Sequence, residues 1–342
     1  MASTRERNGR FTGLYRDASG AQKSAGTFDN EDEALTRAKV KELDAQPPKV
    51  IEVYPTAKRG KVTVAAYAPT WVENQVLEET SRETYQRTAD RIVRNMGGMA
   101  REDVTPDDVR KMIKALKKAG LRDATISATL DLARGLLGKD ACADVRFRIK
   151  DRRERMCATR QQAATVENAI HPRYKLLVRT AFATGCRWGE MIALRGTDVE
   201  QRGTGYVLKV RRTVIEVRGE RSERPYGKSA SAWRDITIPE SLALDLMGFG
   251  ANLCFLNARG GFLRRNCFRS EYWLRAVKKV GLQGFRVHDM RHSAISWWAN
   301  SGIPLADVRD RAGHSNISVT SKYIHVVPGD ADPFTVFFGE AA

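Results

Sequence analysis

Cysteine is sparse in this chain. The five cysteines, at positions 142, 157, 186, 254 and 267, are odd in number and include no CxxC pair. Such a set argues for a reducing compartment and against a disulfide framework or a cysteine-built zinc site; buried free thiols are the plain reading. No apolar run approaches the ~20 residues that span a bilayer. The opening MASTRERNGR lacks the apolar stretch of a signal peptide. Histidine is also scarce, and four of the five fall within residues 284–325. Acid is the minority charge, 41 residues against 58 lysines and arginines, which leaves a net charge of +17 and a pI near 9.9. That surplus calls for a polyanionic partner, nucleic acid first and an anionic membrane surface second. What remains, 342 residues with 42% apolar and 29% charged side chains, is enough for two or three globular domains with real cores.

The first 60 residues read as a small appended module. RFTGLYRD and QKSAGTF are strand-like runs separated by the turn signal DASG, a hairpin or small meander. Asp29 and Asn30 then cap a helical segment with Ala34, Leu35 and Ala38 at helical spacing, stopped by Pro47 and Pro48. Basic and acidic residues nearly balance here, so charge alone does not make this module a DNA binder. KVIEVYPTAKRGK, residues 49–61, reads as a linker. From 62 to about 150, four amphipathic segments with short connections suggest a compact all-helical bundle. They include Val64, Tyr67, Ala68 and Trp71 on one face, and Tyr85, Ala89, Ile92 and Val93 on another. RFRIKDRRER, residues 146–155, is basic enough, with Arg152 and Arg153, to strap a phosphate backbone, because each neutralised phosphate releases counterions.

The second half carries the chemistry. The spacing predicts a helix over 173–182, a break at Thr184 and Gly185, and a second helix over 187–194. Arg187 and Glu190 share a face of that second helix; alone they would read as a surface ion pair. GYVLKVRRTVIEV and WRDITIP are strand-like, and the polar loop RGERSERPYGKSASA between them, with Lys228, predicts a hairpin with a long tip. His288 and Arg291 lie on one face of a helix running through SAISWWAN. IPLADVRDRAG is a short helix closed by Gly313, with His314 just beyond it and Tyr323 nine residues later, on or beside the next helix.

Three chemistries compete for these residues. His288 and His292 have metal-ligand spacing on a helix, but a zinc hydrolase of that kind wants glutamate after the first histidine, and Asp289 stands there. A nucleophile elbow needs GxSxG, which is absent. The third uses every piece. Arg187 and Arg291 offer forked donors that match phosphate oxygens. The histidines donate to those oxygens or move a proton. The phenol of Tyr323 can attack phosphorus if a base takes its proton or a cationic pocket stabilises the phenolate, and a lysine on a mobile hairpin could protonate the departing 5′ oxygen.

The motifs that carry this set resemble the boxes of the tyrosine recombinases of the phage integrase family. ATGCRWGEMIALRGTDV is similar to the family's first box and aligns Arg187 with a catalytic arginine and Glu190 with its supporting acid. HDMRH is similar to the HxxR box and aligns His288 and Arg291. AGHSNISVTSKYIH is similar to the box that ends in the nucleophile and aligns His314 and Tyr323, although Ala312 stands where leucine is usual. GKSASAWRDITIP resembles the hairpin of the general acid; its lysine-to-proline spacing selects Lys228 over Lys209, with Gly227 and Ser229 as departures.

The resemblance implies a multidomain fold: a small α+β N-terminal module, an all-α SAM-like core-binding domain, and a mainly α catalytic domain with a small β-hairpin sheet. The domains would be 1–48, an arm-type DNA-binding module with Arg10, Tyr15, Arg16 and Lys23 facing DNA; 62–150, core-binding; 151–165, a basic linker; and 166–327, catalytic. Residues 328–342 would be a tail whose Phe334, Phe337 and Phe338 dock on a neighbouring subunit. It further implies strand exchange through a 3′-phosphotyrosine, with no metal or cofactor. Arg187, Arg291 and His314 would hold the phosphate, and His288 would accept or orient the proton of Tyr323. The partners implied are double-stranded DNA at core-type and arm-type sites, three further copies of the chain in a tetramer, a host DNA-bending factor and an excisionase, with no membrane. The setting would be the cytoplasm of a bacterial host, at the nucleoid. A type IB topoisomerase and a non-catalytic DNA-binding protein on the same fold remain as alternatives.

Overall fold

Three short strands and one helix lead the chain in the computed structural model, which describes residues 2–17, 19–45, 61–150, 155–225 and 233–323. The chain divides into two compact units, residues 1–153 and 154–342.

In the first unit, β1 (Ser3–Arg7), β2 (Arg10–Arg16) and β3 (Gln22–Phe28) form an antiparallel meander in that order, covered by α1 (Glu31–Ala45). The expected strand pair is there, and β1 adds a third strand. Its sequence STRER has no apolar face to betray it, and four of its five residues are exposed, as suits a charged edge. Phe28, Ala34 and Ala38 make the small core under the sheet. Four helices follow: α2 (Val64–Glu73), α3 (Glu79–Met96), α4 (Pro106–Lys118) and α5 (Asp123–Leu137). Their apolar faces bury Val64, Ala68, Ile92, Met96, Met112, Ile126 and Leu130 in one core. Thr105 and Asp108 close a capping box at the start of α4, with Pro106 in its first turn. Asp44 on α1 pairs with Arg91 at 3.3 Å and Arg94 at 3.6 Å on α3, which ties the sheet module to the helices.

The second unit begins with α6 (Arg160–Ala169), α7 (Lys175–Thr184) and the single turn α8 (Trp188–Met191). Strands β4 (Val199–Arg202), β5 (Gly205–Val210) and β8 (Arg234–Ile238) form one antiparallel sheet, while β6 (Arg212–Val217) and β7 (Glu220–Pro225) form a separate hairpin. The run GYVLKVRRTVIEV is thus two strands in two sheets, and the first part of the expected polar loop is a strand. ERSERP has no apolar residue to announce β7; its register sets Arg221 opposite Glu216 and Glu223 opposite Val214. The unit continues through α9 (Glu240–Met247), α10 (Arg265–Phe268), a π-helical turn at Arg269–Trp273, α11 (Leu274–Lys279), α12 (Asp289–Ala299), α13 (Leu305–Ala312) and α14 (Ile317–Thr320), and ends on the 3₁₀ turn Ser321–Tyr323. Its core centres on Trp273, Phe268, Phe285, Leu177, Met191 and Leu208, all fully buried; the indole of Trp273 donates to the Phe285 carbonyl at 2.9 Å. Among the described residues, no helix is long and apolar enough to cross a membrane.

Candidate active site

The break between α7 and α8 places the first arginine. Arg187 is the N-cap of α8, in an extended conformation, and the helix is shorter than the 187–194 segment the spacing predicts. Its backbone N–H donates to Glu190 Oε2 and its guanidinium to Glu190 Oε1, both at 2.8 Å. Glu190 is fully buried, so this is not the surface pair that three-residue spacing usually denotes. A second cation meets the same carboxylate. Arg234, on β8 and also buried, donates to Glu190 Oε2 at 2.6 Å and Oε1 at 3.2 Å. Burial alone would raise the Glu190 carboxyl, but the charges of Arg234, Arg187 and Arg291 outweigh it and hold the group far below the usual carboxylate range.

The other focus is the C-terminal end of α13. Gly313 closes that helix in the left-handed region, at φ 64, where a side chain would be strained. The carbonyls around this end are taken up by arginines. Arg234 Nε donates to the Arg311 carbonyl at 2.8 Å, Arg291 to that of Ala312 at 2.6 Å, and Arg187 to that of Gly313 at 2.8 Å. Cations favour the negative end of a helix dipole, so three elements distant in sequence are drawn to one point. Arg291 also donates to the Gly185 carbonyl at 2.6 Å; burial, with Arg187 nearby, lowers its pKa to about 10, a guanidinium still charged at neutral pH. The start of α12 is fixed by the buried Asp289, which accepts from the Arg286 backbone and guanidinium, each at 2.7 Å.

Next to this cluster lies the tyrosine. Tyr323 is 3% exposed and packs on Ile295, Val308 and Ala312. Its hydroxyl is 2.7 Å from His292 Nδ1. The His314 ring stacks 6.2 Å from the phenol ring, and His314 Nδ1 bonds Thr320 Oγ1 at 2.9 Å. The Arg155 guanidinium lies 5.2 Å from the centre of the phenol ring. Burial raises the phenol pKa, and the charges of Arg155, Arg291 and Arg187 pull against that rise. Burial likewise depresses the two buried histidines, His292 to about 3 and His314 to about 4, so both are neutral at physiological pH.

The structure therefore brings together Arg187, Glu190, Arg291, His314 and Tyr323. His288 is exposed and packs edge-on against His292, ring centres 4.7 Å apart. Lys228, Arg152 and Arg153 lie outside the described residues, as does the tail from 328. Arg10, Tyr15, Arg16 and Lys23 are on β2 and β3 of the first unit. Arg10 bonds Asp29 at 3.0 Å, Arg16 the Gly20 carbonyl at 2.7 Å and Lys23 pairs with Asp17 at 3.1 Å, while Tyr15 is half-buried opposite Lys23.

Two residues of the site do not stand out in the sequence. His292 enters there only as half of a metal pair. Arg234 shares its inward phase with Ile236 and Ile238 on β8, and a charge in the buried phase of a strand is the available signal.

A buried tyrosine beside a convergence of arginines, on this fold, defines a site-specific recombinase of the tyrosine class. The chain belongs to the phage integrase family, whose pattern it matches over residues 151–329. Among its relatives, the phiRv2 prophage integrase of Mycobacterium tuberculosis is 27% identical over 288 residues, covering 77% of this chain and 74% of that one. A XerC-like tyrosine recombinase of Caldanaerobacter subterraneus is 30% identical over 183 residues, 46% of each chain. In fold, the chain is similar to the Tn1549 transposon integrase solved with transposon right end DNA (TM-score 0.65, 19% identity, covering 81% of this chain and 98% of that one). It is also similar to a lambda integrase tetramer bound to a Holliday junction (TM-score 0.57, 17% identity, covering 97% and 98%).

Proposed function

We propose that this recombinase cuts double-stranded DNA at core-type attachment sites with Tyr323, holds the strand as a 3′-phosphotyrosine, and rejoins it to a partner strand, so integrating or excising a phage or another mobile element. The observation that carries this reading is the arrangement at the end of α13. Arginines 187, 291 and 234 converge on three successive carbonyls just before His314, and Tyr323 follows nine residues on. Arg187 and Arg291 meet the charge that grows on the phosphoryl oxygens, with His314 as a further donor. His288 orients the proton of Tyr323, Lys228 protonates the 5′ oxygen, and Glu190 holds Arg187. The energy of the broken bond stays in the phosphotyrosine, so rejoining needs no external energy source.

Residues 1–48 act as the arm-type module through Arg10, Tyr15, Arg16 and Lys23. Residues 62–150 and 166–327 grip the core site, and 151–165, with Arg152 and Arg153, crosses the backbone between them. The working form is a homotetramer in the bacterial cytoplasm, with the 328–342 tail docked on a neighbour and a host DNA-bending factor and an excisionase setting direction. The DNA complexes of the transposon and lambda integrases support this reading.

One experiment tests the chemistry and finds the target sequence together. A pool of nicked duplexes with a randomised stretch is incubated with the protein, and detergent-resistant protein–DNA product is captured and sequenced. One core sequence should be enriched, and Tyr323→Phe should give no product. Relaxation of supercoiled plasmid without sequence preference would point to a topoisomerase and contradict this reading.

A further inference from the structure

We infer that His292 is the proton acceptor for Tyr323 in strand cleavage. The inference rests on Tyr323 being the nucleophile, and deepens that reading by naming the group that touches the reacting oxygen.

The contact is specific. The His292 Nδ1 to Tyr323 Oη distance is 2.7 Å, inside the range for a hydrogen bond between a phenol and an imidazole. Both partners are held. His292 lies in the first turn of α12, next to Arg291, and is 9% exposed. The phenol is fixed by Ile295, Val308 and Ala312 around its ring, and the Tyr323 carbonyl accepts from Asn300 Nδ2 at 3.3 Å. His288, the histidine of the HxxR box, packs its ring against His292 and so orients the acceptor.

A neutral imidazole has one acceptor nitrogen. Here burial, helped by His288, Arg155 and Arg286 and opposed by Asp289, keeps His292 neutral; in the tautomer the inference requires, Nδ1 accepts and Nε2 carries the ring proton. Most of the charges that add to burial here are positive, with Asp289 against them, and the scissile phosphodiester brings a further negative charge among them. Substrate therefore raises the proton affinity of His292 when a base is needed.

The step balances. The Oη–P bond forms as the P–O5′ bond breaks. The phenolic proton passes to Nδ1, giving an imidazolium, and the 5′ oxygen leaves as a hydroxyl with a proton from the general acid. In rejoining, the 5′-hydroxyl attacks and returns its proton to that acid, and the imidazolium protonates the departing phenolate.

The experiment measures single-turnover cleavage of the captured nicked core duplex by full-length wild type, His292→Ala and His292→Asn. The asparagine carbonyl stands near the position of Nδ1 and keeps a hydrogen bond, but cannot take a proton. Both variants should bind the duplex as wild type does and cleave at least about 100-fold more slowly. The His292→Ala rate should rise about tenfold per pH unit between roughly pH 7 and 9, as hydroxide replaces the base, and added imidazole should partly restore it. Wild-type cleavage by His292→Asn overturns the inference. So does a slow His292→Ala whose pH profile parallels wild type and does not respond to imidazole. If His292→Ala folds poorly, His292→Asn decides alone. Adduct formed by Tyr323→Phe would instead sink the nucleophile assignment beneath it.

Discussion

Glu190 is fully buried, and its charge is sustained there by the guanidinium groups of Arg234 and Arg187. Removing one member of such a set leaves the other charges uncompensated. Glu190→Gln and Arg234→Met should each cost about 3–5 kcal/mol in urea unfolding, and both should weaken cleavage by loosening Arg187. A loss below about 0.5 kcal/mol would show that the pair is not structural. The buried histidines make a separate prediction. Their folded pKa values, about 3 for His292 and about 4 for His314, lie below the ordinary value near 6.5. Protons then bind the unfolded chain more readily, so the stability these groups contribute is complete above about pH 6.5 and is lost as pH falls toward 4, at up to about 1.4 kcal/mol per unit for each. Glu190 follows the carboxylate rule and loses its share only below about pH 4.5. Thermal melts between pH 7 and 5 should therefore already decline, with proton uptake on unfolding; a flat profile over that range would contradict the burial of both rings. At this scale, residue identity was the legible part of the site. Arg291, His314 and Tyr323 stand out by type and spacing, and Arg187 with Glu190 through their likeness to the family's first box. Their acceptors do not, because the carbonyls of Arg311, Ala312 and Gly313 are backbone and have no residue-type signature.

Elements set the distances. The turn α8 lies close against β6: a β-carbon on Gly189 would stand 2.5 Å from both Thr213 Oγ1 and the Val214 carbonyl. Gly189→Ala must push α8 off β6, and with it Arg187 and Glu190. The expected cost is about 1–3 kcal/mol in denaturant unfolding, with a larger relative fall in adduct formation than in DNA binding. The segment before α6 is held along α12: the Ala158 amide donates to Ser293 Oγ and the Trp297 indole to the Ala158 carbonyl, both at 2.9 Å. Ser293→Ala leaves that buried amide unpaired and should cost about 1–3 kcal/mol by the same measurement. The helices were largely legible, since α7, α12 and α13 each carry an apolar face or an end signal such as Gly185 or Gly313. The sheets were not. β1 and β7 are charged strands whose existence depends on the partners they pair with, and nothing in STRER or ERSERP encodes those partners locally.

At the scale of the whole molecule, the net charge of +17 is the dominant feature. Binding to duplexes of unrelated sequence should weaken steeply with salt, with a slope of log K against log salt of about −5 or steeper; a slope near zero would remove electrostatics from DNA recognition. Net charge bears on whether DNA binds, not on whether it is cut. Cleavage by the proposed route leaves Tyr323 covalently joined to the 3′ phosphate of the cut strand. The most direct measurement is mass spectrometry of the nuclease-trimmed, trypsin-digested adduct formed on the captured duplex. A nucleotide should be attached through its 3′ phosphate to the peptide containing Tyr323, at that side chain. Attachment at any other residue, or through a 5′ phosphate, would contradict the proposed route.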